Sequence, residues 1–176
     1  VEIVTRQGVY VSDYRKTGAL DTLTALLNYN GEVMRDDEVR SLMEVRSANE
    51  CLCMKLVVER ATQEELDGLA PLLDAIKDAK TDQDAAEATF QFHHALSVLS
   101  RNAFLPLLYN SIHGYGMHFW SLYRERYGAN RLYQNKLELY RALLDRDAEH
   151  AQAFTSDMLD GIANGTFSLY SHPNQT

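Results

Sequence analysis

The chain has 176 residues, 45% of them apolar, which fits one domain with its own core and excludes a disordered tail. Its 17 Lys and Arg stand against 25 Asp and Glu, a net charge of -8, so its surface repels phosphate and excludes a segment that grips DNA by itself. No apolar run approaches the ~18 residues of a membrane span, and the start, Val1-Glu2-Ile3-Val4, is neither an initiator Met nor a signal peptide, so the chain is expected to begin inside a larger protein.

Residues 1–14 are β-branched and partly alternating, with a turn at Gly8, and predict a small hairpin. Residues 15–18, around Lys16-Thr17-Gly18, read as a linker. Helix formers at three- and four-residue apolar spacing then predict seven helices within 19–165. The first, about 19–29, carries Leu20, Leu23, Leu26 and Leu27 on one face. The second, about 36–60, opens on acidic residues from Asp36, which suit a helix N-terminus. Thr62 with Glu65 forms a capping box that opens a third helix to about Ala79. Thr81 to Asp84 starts a fourth, to about Leu99, and Asn102 caps a fifth through about Tyr123. Gly114 and Gly116 mark a weak or closely packed spot in that fifth helix. A sixth spans about 131–144, and Asp147 opens the seventh, which ends near Asn164-Gly165. Residues 166–176 read as a flexible tail.

Cys51 and Cys53 stand two apart in the second helix and point about 200° apart. They suit neither a disulfide nor a shared metal, and two reduced thiols predict a reducing, cytoplasmic compartment. A Gly-rich phosphate loop, a nucleophile elbow, HExxH and paired CxxC are all absent. The chain is therefore expected not to be an enzyme.

Four segments, in order, resemble one family. Thr5 to Ser12 resembles the last strand of a winged-helix wing. Val39 to Glu50, with Arg46 and Glu50 four apart, resembles an hxEhR-xxx-E helix. Phe92-His93-His94-Ala95-Leu96 followed by Ser100-Arg101-Asn102 resembles an FHxAL…SGN element. Ala142 to Ala151 resembles an AI..GD...A joint between the last two helices. Together they resemble the C-terminal effector-binding domain (FCD, or FadR-C) of GntR-type transcription regulators of the FadR subfamily. The resemblance covers nearly the whole chain. It implies an all-α, seven-helix antiparallel bundle that senses a small molecule and dimerises, with residues 1–14 the remnant of a winged-helix domain. DNA contact would then fall to the missing N-terminal domain alone. Dimer contact is expected through the second and fifth helices. Asn110 to Gly114 also resembles an Asn-x-x-basic-Gly stretch of the acyl-CoA-responsive branch.

Many members of the resembled family hold a divalent metal through one Asp and three His. Here His93 occupies the first His position, and Thr89 stands four residues before it in place of Asp. By spacing from Asp147, the other two positions hold Lys136 and Met158, a cation and a soft sulfur. No metal and no other cofactor is therefore expected; if a metal binds, His93 is its ligand. Arg46 and Glu50 read either as a solvated i, i+4 pair or as a partly buried pair that orders a pocket. His93 and His94 face different sides of their helix, one of them a core histidine or a group aimed at a cavity. His113 and His118 carry the same two readings. Ten tyrosines, with Phe119 and Trp120, read as core and dimer surface or as the walls of an amphipathic cavity. The expected ligand-binding residues are Arg46, Glu50, Thr89, His93, Asn110, His113 and Lys136. The expected ligand is an acyl-CoA or fatty acid first, and a small organic acid second. The alternatives are a ligand-free dimerisation module and a metal-dependent carboxylate sensor.

Overall fold

The computed structural model describes residues 2–4, 8–10, 13, 16, 18–30 and 35–164. Strands β1 (Glu2–Val4) and β2 (Gly8–Tyr10) pair antiparallel, with Ile3 opposite Val9, where the hairpin is expected. The predicted tail, 166–176, and two of the four residues of the predicted linker lie outside the described residues.

Among the described residues the seven predicted helices become nine segments, because two of them break. These are α1 (Leu20–Asn30), α2 (Asp36–Arg60), α3 (Gln63–Asp67), α4 (Ala70–Asp78), α5 (Asp82–Leu99), α6 (Leu105–Ser111), α7 (His113–Tyr127), α8 (Ala129–Leu144) and α9 (Ala148–Ala163). The predicted third helix stops at Gly68 because Pro71, with no N–H to donate, has to sit in the first turn of a new helix. The predicted fifth helix breaks at Ile112, which leaves helical geometry at φ -107°, ψ 17°. Gly116, not Gly114, is the closely packed glycine: a Cβ there would meet the Phe90 ring at 3.4 Å.

The predicted caps form. Thr62 Oγ1 accepts from the Glu65 N–H at 3.2 Å, and the Glu65 carboxylate accepts from the Thr62 N–H at 2.8 Å. Thr81, Asn102 and Asp147 accept the first amides of α5, α6 and α9. α2 lies along α9, and α5 packs between α4 and α7, so the core runs through the middle of α2, α5, α8 and α9. The apolar face expected on α1 is only partly used. Leu27 is buried, while Leu20 and Leu23 are exposed, because α1 meets the bundle mainly at α7.

The C-terminal end of α2 is held by two arginines in left-handed backbone, Arg101 at φ 52° and Arg146 at φ 58°. Both stand where the resembled SGN and GD patterns carry glycine. Arg146 closes a Schellman turn: the Asp147 N–H reaches Ala142 O at 2.9 Å and its own N–H reaches Leu143 O at 3.2 Å. Its guanidinium then donates to Val58 O at 3.2 Å and Ala61 O at 2.7 Å. Arg101 donates to Arg60 O at 2.6 Å and to both oxygens of Glu65 at 3.1 Å. Carbonyls that a helix end leaves without partners are thus satisfied from two other loops.

Each arginine costs backbone strain and returns carbonyl bonds, so two substitutions separate the terms. Arg146→Ala keeps the strain and loses the bonds, and is expected to destabilise by about 1–3 kcal/mol. Arg146→Gly also loses the bonds but relieves the left-handed strain, and should be more stable than Arg146→Ala by about 1 kcal/mol. Urea unfolding of the two variants and the parent chain measures both differences.

Candidate functional site

The site is built from five helices around one buried ion pair. Arg46 and Glu50 lie one turn apart on α2, and both point inward: they are 7% and 2% exposed. Arg46 Nε and Nη2 donate to the same oxygen, Glu50 Oε1, at 3.0 and 2.7 Å. The guanidinium lies over the Phe119 ring, 4.5 Å from its centre, and 5.7 Å from that of Trp120. The partly buried reading of the pair is therefore the one the fold realises.

α5 brings His93 to the other side of Glu50. Its Nδ1 lies 3.8 Å from Glu50 Oε2, and its ring runs parallel to Tyr109 of α6 and Trp120 of α7 at 6.2 and 5.5 Å. Thr89, one turn earlier on α5, is fully buried and spends its hydroxyl on Ala85 O at 2.7 Å. From α8, Lys136 places Nζ 4.0 Å above the Trp120 ring while being 1% exposed. Its neighbour Asn135 donates to the Tyr123 hydroxyl at 2.6 Å and approaches the Met158 sulfur at 3.9 Å.

Burial sets the protonation states. It pushes His93 well below the ordinary histidine range, helped by Lys136 and Arg46, so the imidazole is neutral and its contact with Glu50 is not an ion pair. Burial also draws Lys136 down to about 7, with Glu50 opposing and Arg46 assisting. It works against the Arg46 charge too, but Glu50, then Tyr115 and Tyr109, outweigh it and hold that pKa above the usual arginine value. Burial raises Tyr109 well above the phenol range and pushes the Cys53 thiol up to about 12, Glu50 adding to both. Five buried atoms of this cluster make no hydrogen bond among the described residues: Arg46 Nη1, Glu50 Oε2, His93 Nδ1 and Nε2, and the Tyr109 hydroxyl.

Five expected site residues, Arg46, Glu50, Thr89, His93 and Lys136, thus share the interior, whereas Asn110 and His113 do not. Asn110 is exposed on α6, and the exposed His113 pairs with Glu87 at 3.3 Å. His94, on the side of α5 away from His93, is half-buried against Phe90. Trp120, expected in the core or as a cavity wall, and Tyr109, not named individually in the sequence, complete the cluster. The signal for Tyr109 was its spacing of four from Leu105, which turns both inward on α6. The donor set does not suit a divalent metal. Thr89 is committed to its own helix, Met158 is soft, Lys136 is cationic, and among the described residues no three His, Cys, Asp or Glu gather.

Glu50 is the one carboxylate in this cluster, so Glu50→Gln leaves buried cations without a counter-charge. A loss of about 3–5 kcal/mol in urea unfolding is expected. Lys136 gives a pH signature. Its folded pKa of about 7 lies below the ordinary 10.5, so between those values the folded chain holds fewer protons than the unfolded one. Stability should then rise with pH from about 7 by about 1.4 kcal/mol per pH unit. Cys53 and Tyr109 act oppositely, because their folded pKa values exceed the ordinary 9.0 and 10.0, and stability falls as pH passes those values. The expected maximum lies near pH 9, and Lys136→Met should flatten the rise that precedes it.

Comparison with known proteins identifies the family of the fold. The FCD domain model matches residues 41–161. The HTH-type transcriptional regulator LutR of Bacillus subtilis is 26% identical over 161 residues, which is 87% of this chain and 71% of that protein. The solved structure of a GntR protein of Streptococcus agalactiae has a TM-score of 0.61 at 18% identity, over 93% of this chain and 74% of that one, a likeness of fold. The matched stretch covers more than half of the chain, and the chain belongs to the FCD domain family of GntR-type transcription regulators.

Proposed function

We propose that the domain senses an organic acid whose carboxylate enters the core and accepts from Arg46 Nη1 and Lys136 Nζ. The observation that carries this reading is the set of buried, unpartnered polar atoms on Arg46, Glu50, His93 and Tyr109. Each such atom costs about 1–3 kcal/mol when left unpaired. Side chains from α2, α5 and α6 converge on them, so one ligand would offset several of these costs at once. Aromatic rings of Tyr109, Phe119 and Trp120 would take its apolar part.

Between the two ligand sources, the small acid is better supported than a long acyl chain or acyl-CoA. Asn110 and His113, which carried the acyl-CoA resemblance, are exposed and stand apart from the cluster. Ligand binding would change the packing of α2, α5 and α6, and it regulates only if the two arrangements differ in affinity. DNA contact would belong to a separate helix-turn-helix domain of the kind named for the B. subtilis relative, since this chain carries a net charge of -8. Pairing of two copies would align two such domains on a palindromic site. Val45 and Leu52, seven apart on α2, and Phe104 and Leu107 near α6 are exposed and would supply an apolar contact.

Calorimetric titration of small carboxylates into the parent chain and Arg46→Ala tests the reading. The variant is expected to bind about 10- to 100-fold more weakly, the worth of a charged hydrogen bond. Unchanged affinity would remove Arg46 from the site, and stoichiometric zinc or nickel on elemental analysis would replace this reading with a metal-dependent one. Sedimentation at tens of micromolar should show a species of twice the chain mass.

A further inference from the structure

We infer that the buried site selects a ligand with a single negative charge, with Lys136 as the residue that determines this specificity. The inference rests on the organic-acid reading above and names the charge class of that acid.

The argument is a count of buried charges. The groups that face one another are Arg46, Glu50 and Cys53 on α2, His93 on α5, Tyr109 on α6, Tyr115 on α7 and Lys136 on α8. Burial keeps the thiol, the imidazole and the Tyr109 phenol uncharged. Burial draws Lys136 to about 7, so it carries its proton below that pH or when a bound carboxylate stabilises the charge, and two cations then stand against one carboxylate. That carboxylate is already taken, because Glu50 Oε1 accepts both of its bonds from Arg46. Among the described residues no carboxylate lies within ion-pair distance of Lys136, which has only the face of Trp120 at 4.0 Å. Charges sealed from water are stable only when balanced. The interior is therefore one negative charge short.

A monocarboxylate supplies that charge, bridging Lys136 Nζ and the free Arg46 Nη1. A dicarboxylate brings a second charge into the same interior, where no third cation awaits it. A neutral amide of the same shape fills the space but leaves Lys136 without a partner. Affinity should therefore peak at one negative charge, and size should act as a separate selection.

Triads of equal skeleton separate charge from shape: butanoate, succinate and butanamide; octanoate, suberate and octanamide; lactate, tartronate and lactamide. Each is titrated calorimetrically into the parent chain, Lys136→Met and Lys136→Arg. In any triad that binds, the monocarboxylate is expected to bind roughly 100-fold more tightly than the dicarboxylate or the amide, as for one unpaired buried charge. Lys136→Met should lose this preference and Lys136→Arg should keep it. Lys136→Met removes an uncompensated buried charge, so it is expected to fold. Carboxylates that bind with no preference for one charge, or with a preference that survives in Lys136→Met, would overturn this inference and leave the organic-acid reading standing. Binding by no carboxylate in any triad would overturn both.

Discussion

Everything at the centre of this bundle depends on placing a guanidinium and a carboxylate inside it. A surface pair at i, i+4 contributes a few tenths of a kcal/mol and constrains little. The same pair at 7% and 2% exposure is a commitment, because neither charge tolerates burial alone. Glu50 presents one oxygen to Arg46 and turns the other toward His93, and so sets what may stand around it. Burial keeps the imidazole neutral and the phenol and thiol protonated, and the rings of Phe119 and Trp120 meet the guanidinium. Lys136 is the member that this pair does not satisfy.

Such a pair works only if its helix is fixed in register. α2 runs 25 residues, and the buried pair of Arg46 and Glu50 sits near its middle. Its far end is clamped by Arg101 and Arg146, each in a conformation that glycine adopts freely and arginine does not. The related pattern uses glycine at these turns for the backbone alone. This chain accepts strain at both turns and uses the side chains to bond Val58, Arg60 and Ala61 carbonyls. The loops after α5 and α8 are thereby tied to the same helix end, so the helices that carry His93 and Lys136 are indexed to the one that carries Arg46.

Much of this was legible in the sequence, and the misses have physical causes. Caps were readable because a Thr or Asp side chain and the amide it serves lie within four residues. The breaks at Gly68 and Ile112 were missed, although Pro71 and the weak spot at Gly114 lie beside them, because an apolar period of three and four continues across a kink while the axis turns. Arg46 could be read as buried or solvated, since local spacing is the same in both; only the rings of Phe119 and Trp120, far along the chain, decide it. Asn110 was chosen by motif and Tyr109 passed over, although the two differ by one position, about 100° of helix. That rotation puts Asn110 at the surface and Tyr109 against His93. The clamp of Arg146 on Ala61 joins residues 85 apart, beyond any local pattern.

The elements that reach the site are not equally anchored. α2, α5 and α8 are long, α2 packs against both of the others, and the loops after α5 and α8 are tied to its end at the arginine clamp. α6 is a helix of seven residues between the Asn102 cap and the Ile112 break, with Pro106 in its first turn, and it packs chiefly on α5. It faces two ways: Tyr109 reaches the buried cluster, and Leu107 and Phe104, just before the helix, lie at the surface. A bound ligand changes an equilibrium only through contacts that differ between two arrangements. The Tyr109 hydroxyl is a contact of that kind, because it is the group α6 contributes to the cluster and it has no hydrogen-bond partner there. In the proposed sensor, a ligand that bonds this hydroxyl would hold α6 against α5 and so fix the position of its exposed apolar side chains. The long helices would meanwhile keep the charges in register. In that proposal the anchored helices carry the charges and the short α6 carries the change, so occupancy of the interior would be felt at the surface through Tyr109.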